Sequence, residues 1–89
     1  MEIKVDRPKL IEISILNDDV TSVDTVKVVL VNVFGFDVYE ADSLIDIAME
    51  EGECSLGKYS MGVARNLISE IRQYSNTLQV KSKECEYNS

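Results

Sequence analysis

The side chains with chemistry to offer are gathered in one short stretch, Asn17-Asp18-Asp19-Val20-Thr21. Amide, carboxylate and hydroxyl groups follow one another there, directly after the apolar run Leu10-Ile11-Glu12-Ile13-Ser14-Ile15-Leu16. Asn and Asp hydrogen-bond to nearby backbone and favour the ends of regular elements. A polar corner of this kind at the rim of an apolar core suits a binding site for something half polar and half greasy. Asn17 and Asp18 are also good turn and capping residues with no further role, and Asp19 reads as a solvated turn residue.

Other chemistries lack their parts. The chain has no histidine, which removes the commonest general base, the commonest metal ligand and the neutral-pH switch. Nothing pairs an activated nucleophile with a base and an oxyanion site, so a small carboxylate hydrolase is the weakest reading and the chain is not expected to be an enzyme. Glu50, Glu51 and Glu53 lack the spacing and mid-loop glycine of a calcium loop, so they read as a solvated acidic rim. No metal or cofactor is expected. Cys54 and Cys85 are the only cysteines. They read as reduced thiols of a cytoplasmic protein, Cys54 as a small buried hydrophobe with no histidine to activate it. A formal charge of −7, from 16 acidic and 9 basic residues, opposes broad electrostatic binding to nucleic acid or to an anionic membrane. No apolar stretch is long enough to span a bilayer, and Met1-Glu2-Ile3-Lys4-Val5-Asp6 is too mixed for a signal peptide.

The elements that must position the corner follow from periodicity. With 89 residues and 45% hydrophobic composition, the chain reads as one folded domain. Residues 1–9 read as a short flexible tail, with Pro8 excluding a central strand. Residues 10–16 alternate as a strand. Residues 23–34 are ambiguous: the β-branched content favours a strand, yet Val23, Val26, Leu30 and Val33 share a helical face, Thr21 or Ser22 offers a cap and Gly35 a stop. Asp37 to Glu40 has capping-box spacing, Ala41, Leu44, Ile45 and Ala48 follow at helical intervals, and Gly52 is placed to end that helix. Residues 53–59 read as a strand. Ser60 caps a third helix with the stripe Val63, Leu67, Ile68 and Ile71. Residues 77–82 form a last strand, and 83–89 a polar tail. The expected class is α+β in the order β-α-α-β-α-β, with three helices packed on one three-stranded antiparallel sheet.

Leu16-Asn17-Asp18-Asp19-Val20-Thr21, then a hydrophobic helix, then Glu50-Glu51-Gly52-Glu53-Cys54 and Gly57-Lys58-Tyr59-Ser60, resembles the ClpS adaptor family over roughly residues 10–82. These small proteins bind destabilising N-terminal residues and hand the substrates to a AAA+ Clp unfoldase–protease. The resemblance implies a helix at 23–34. It implies that Asn17 hydrogen-bonds the ligand's α-amino group and that Asp18 and Thr21 fix the start of its backbone. It puts the gatekeeper, commonly Met, at Val23, and the pocket wall at Val26, Ile45, Ala48 and Leu78. An α-ammonium needs acceptors and a nearby negative charge. A bulky Phe, Tyr, Trp or Leu side chain needs a dry pocket. Burying such a side chain is worth about 1.5–3 kcal/mol, and a charge-assisted hydrogen bond about 1.5–3 kcal/mol more. Together they give micromolar-class recognition if the pocket is preformed.

The chain departs from the family in three places. The family histidine that contacts the α-amino group falls on Met49, a weak acceptor. Val23 is shorter than Met, which predicts a wider mouth and entry of Ile or Val. The charged docking positions on the third helix fall on Gly62 and Leu67, which puts docking to the usual unfoldase in doubt, as does the short leading tail. The expected partners are therefore a substrate N-terminus and the N-terminal domain of a Clp unfoldase, engaged by a monomer. The alternative is the same fold occupying an unfoldase without delivering substrates.

Overall fold

The central strand β1, Lys9–Leu16, forms because Ile11, Ile13 and Ile15 alternate with smaller or polar residues. This computed structural model describes residues 9–86. The tail expected at the N-terminus lies outside the described residues except for Lys9, which starts β1. The remaining elements are α1 (Val23–Asn32), α2 (Val38–Glu51), β2 (Glu53–Ser60), α3 (Met61–Tyr74) and β3 (Val80–Glu86). The sheet order is β2-β1-β3 with both pairings antiparallel. The expected order and class are those of the molecule.

Ile13 and Ile15 of β1 are buried with Val29, Leu30, Ala41, Ile45, Ala48, Cys54, Leu56, Ala64, Ile71 and Leu78 in one core. The β1–β2 register slips between Ile13 and Ser14, which face Gly57 and Ser55. Leu56 is the extra residue of this bulge and is buried in the core. Gly57 beside it has φ +120, and a Cβ there would meet the Tyr59 hydroxyl at 3.2 Å. That hydroxyl donates to the Leu56 carbonyl at 2.7 Å.

Residues 23–32 are helical despite their valines. Ser22 caps the helix, its hydroxyl accepting from the Thr25 amide at 3.2 Å. Each valine costs up to about 0.7 kcal/mol in a helix. Val29 and Leu30 are fully buried, and each fully buried side chain returns about 1.5–3 kcal/mol. Burial therefore decides. Of the expected row, Leu30 is fully buried and Val26 and Val33 pack against the core, whereas Val23 is 52% exposed; Val29, outside that row, is fully buried as well. In α2, Asp37 caps the Glu40 amide at 2.7 Å, and Gly52 ends the helix with φ 90. In α3, Ser60 is the cap as expected, but the stripe runs through Ala64, Leu67, Ile68 and Ile71, and Val63 is exposed.

β3 starts and ends later than expected. Residues 77–79 belong to a loop because the Ser75 hydroxyl takes the amides of Thr77 (3.2 Å) and Leu78 (3.1 Å). The Arg72 guanidinium adds a hydrogen bond to the Leu78 carbonyl at 2.7 Å. Lys83 to Glu86, placed in a polar tail by composition, pair with β1 opposite Lys9 to Glu12.

Candidate binding site

β1 ends where the sequence turns polar, and two backbone hydrogen bonds fix that corner. The Leu16 amide donates to the Gln79 carbonyl at 3.0 Å, and the Asn17 amide to the Gly52 carbonyl at 2.9 Å. The second bond needs α2 to stop at Gly52, so the left-handed glycine positions Asn17 beside the end of α2. Ser22 then turns the chain into α1. The corner, the start of α1 and the last turns of α2 enclose a cavity of about 250 Å³.

Asn17, Asp18, Asp19 and Thr21 line one side of this cavity, and Ile15, Leu16, Val23, Val26, Ile45 and Ala48 supply apolar wall, with Met49 also lining it. Of the residues singled out in the sequence, Asn17, Asp18, Thr21, Val23, Val26, Ile45, Ala48 and Met49 are thus brought together. Leu78 is not: it is buried in the core and does not line the cavity. Ile15, Leu16 and Asp19 line it without having been expected there. The signal for Ile15 was its inward phase on β1, next to the corner. Asp19 is exposed at the rim, and no periodicity distinguishes a rim residue from a solvated one. Met49 is 58% exposed.

Asp18 organises the polar side. Its Oδ1 accepts from the Val20 amide at 2.9 Å and from the Thr21 amide at 2.5 Å. Its Oδ2 is buried and makes no hydrogen bond. The Thr21 amide, ahead of the Val20 amide, holds the carboxyl below its usual range against the opposing effect of burial. The Thr21 hydroxyl and the Gln79 amide lower it by smaller amounts. Asp18 is therefore a carboxylate at neutral pH, with one oxygen committed to the turn and the other buried. The Thr21 hydroxyl pairs with that of Thr77 at 2.7 Å, and Thr77 with Ser75 at 3.2 Å. This chain of hydroxyls ties the corner to the loop before β3. The cavity can hold a cation on the polar side and an apolar group against the valines and Ile45.

Cys54 is buried, and burial raises its thiol pKa, which leaves it unreactive. Cys54 and Cys85 are free thiols. Among the described residues, no cluster of three or more His, Cys, Asp or Glu is arranged to hold a metal, and no helix is long and apolar enough to cross a membrane. Gly62 and Leu67 lie on α3, Gly62 exposed between Met61 and Val63, which are 42% and 47% exposed.

Residues 6–82 match the family described as ATP-dependent Clp protease adaptor protein ClpS. An ATP-dependent Clp protease adapter protein ClpS from Hydrogenovibrio crunogenus is 34% identical over 76 residues, covering 85% of this chain and 73% of that protein. Among solved structures, Agrobacterium tumefaciens ClpS2 bound to L-phenylalaninamide matches with a TM-score of 0.79. It covers 89% of this chain and 100% of that one at 24% identity. At that identity the likeness carries the fold.

Proposed function

The chain belongs to the ClpS family of ATP-dependent Clp protease adaptor proteins, and from that premise we propose that it reads N-terminal residues. In this proposal it binds substrates that begin with a bulky hydrophobic residue and presents them to the N-terminal domain of a AAA+ Clp unfoldase. It works as a cytoplasmic monomer and catalyses no reaction itself. The observation that carries the proposal is the two-sided cavity, with an ionised Asp18 in a polar corner and a wall of Val23, Val26, Ile45 and Ala48. Asn17 accepts from the α-ammonium, Asp18 supplies the compensating charge, and Thr21 helps to hold the first peptide unit. The ligand of the Agrobacterium protein, L-phenylalaninamide, combines the same two chemistries, an amine and an apolar ring.

The test is a calorimetric titration with peptides beginning in Phe, Leu, Trp or Ile, each beside its N-acetylated form. Saturable binding in the micromolar range, abolished by acetylation, is expected. Equal binding of free and acetylated peptides would refute an amine reader.

A second function is favoured by Met49, which stands at the cavity with only a weak acceptor sulfur. It is a ClpS-like module that occupies an unfoldase without delivering substrates. Absence of peptide binding, with retained binding to an unfoldase N-terminal domain, would select it.

A further inference from the structure

The cavity is polar on one side only. Asn17, Asp18 and Thr21 all belong to the corner after β1, whereas α2 contributes Ile45, Ala48 and Met49. The Met49 sulfur is the single side-chain heteroatom that α2 offers there. An ammonium group carries three N–H donors. On the corner side, Asp18 Oδ1 already holds two amides, and the Thr21 hydroxyl is paired with Thr77. An ammonium seated in the cavity therefore meets the Asn17 amide and the charge of Asp18 from the corner side and only a thioether from α2. Met49 is also 58% exposed, so the residue stands at the surface rather than inside the core.

We propose that Met49 is a modification site, at which oxidation to the sulfoxide gives the α2 side of the cavity the strong acceptor it lacks and tightens the hold on an N-terminal amine. The proposal rests on the amine-reading function above and names a regulation of that site. With hydrogen peroxide as oxidant, its O–O bond breaks, one oxygen bonds to sulfur and water leaves. Sulfur is oxidised by two electrons and the peroxide is reduced. The product is a polar group on a flexible side chain, and methionine sulfoxide reductases reverse the step. The gain is in electrostatics, because a dipolar sulfoxide oxygen replaces a weak sulfur acceptor next to a cation.

The chain supplies its own controls. Of its three methionines, Met61 is 42% exposed at the start of α3 and does not line the cavity, and Met1 lies outside the described residues. The experiment uses the full chain carrying Met61→Leu, before and after mild peroxide treatment, with the added oxygen at Met49 located by peptide mass spectrometry. Each form is titrated with L-phenylalaninamide and with its N-acetylated counterpart. Kd for the free amine is expected to fall about tenfold on oxidation, the equivalent of about 1.4 kcal/mol. It should return after treatment with methionine sulfoxide reductases. The Met49→Leu/Met61→Leu chain, which keeps only Met1, is expected to show no change. An unchanged or raised Kd in the oxidised Met61→Leu protein overturns the proposal, and so does an equal change in the double variant. Acetylation-sensitive binding that ignores oxidation removes the modification site alone. Absence of binding in both redox states removes the amine reader with it.

Discussion

At the residue scale, the proposed amine end of the cavity is tested most directly at position 49. Met49 lines the cavity from α2 while Asn17 and Asp18 line it from the corner. Replacing the thioether by an imidazole adds a neutral ring acceptor that becomes a repelling cation when protonated. Met49→His is therefore expected to bind L-phenylalaninamide about tenfold more tightly at pH 7.5, from one added charge-assisted hydrogen bond. The gain should disappear as pH falls through about 6.5, the ordinary histidine value. The natural chain, which has no histidine, should show no step at about pH 6.5, only the weakening towards pH 7.5 that comes from the ligand's own α-amine losing its proton. Calorimetry from pH 5.5 to 7.5 decides this: no change in the ratio of the two affinities across the range, or a step at about pH 6.5 in the natural chain, would contradict it. In the same proposal Val23 stands at the apolar end. It is half exposed at the first turn of α1 and lines the cavity. A short β-branched side chain there leaves a wide mouth, so peptides beginning in Ile are expected to bind alongside those beginning in Phe. Val23→Met should weaken the Ile peptide more than the Phe peptide. If the natural chain already excludes Ile, the wide-mouth account fails.

At the scale of elements, α1 is where sequence and structure are least alike. Its valines argue for a strand, and local preference alone left 23–34 open between the two. Long-range burial of Val29 and Leu30 settles it, and burial is not visible in a window of a dozen residues. The elements around it were legible because their ends carry strong local signals: Asp37 and Ser60 as caps, Gly52 as a stop. The start of β3 is hidden from the sequence for the converse reason. The Ser75 hydroxyl competes with the ladder for the Thr77 and Leu78 amides, and a side-chain bond of that kind has no hydrophobic period. The same limit applies to the site. Asn17, Asp18 and Thr21 were legible as a corner, whereas Leu78 falls in the core because the 75–79 loop turns it inward. Since α1 has weak intrinsic preference, its cap matters more than usual. Ser22→Ala is expected to cost about 1 kcal/mol and to lower Tm by about 4–8 °C for a domain of this size. Gly52→Ala places a Cβ on left-handed backbone, at a cost of about 1–2 kcal/mol. It also shifts the carbonyl that holds the Asn17 amide, so this variant alone should lose peptide affinity beyond its loss of stability. Thermal melts paired with titrations at a temperature where both variants are folded separate the two effects. Equal affinity in both variants would show that the end of α2 does not position the corner.

At the scale of the whole molecule, acid pulls stability in two directions. The chain carries a formal charge of −7 at neutral pH and a pI near 4.4, so moving from pH 7 towards the pI relieves self-repulsion. Asp18 works against that relief at lower pH. Its carboxylate closes the turn between β1 and α1 through the Val20 and Thr21 amides, and the adjoining Thr21 hydroxyl reaches the loop before β3. Its pKa in the folded chain is lowered from 3.8, chiefly by the Thr21 amide. The folded state thus binds its proton less readily than the unfolded state does. The contribution is complete above the unfolded value and is lost as pH falls through the lower folded value. Asp18→Asn isolates it, because an amide oxygen still accepts from both backbone amides but does not titrate. Charge relief acts almost equally on both proteins. The natural chain is expected to be the more stable at pH 5–8, by an amount that does not change across that range, and the difference should close below pH 3.8. Parallel denaturant melts from pH 2.5 to 8 measure the gap directly. A gap that widens on acidification, or is absent at neutral pH, would mean that the ionised Asp18 does not stabilise the corner.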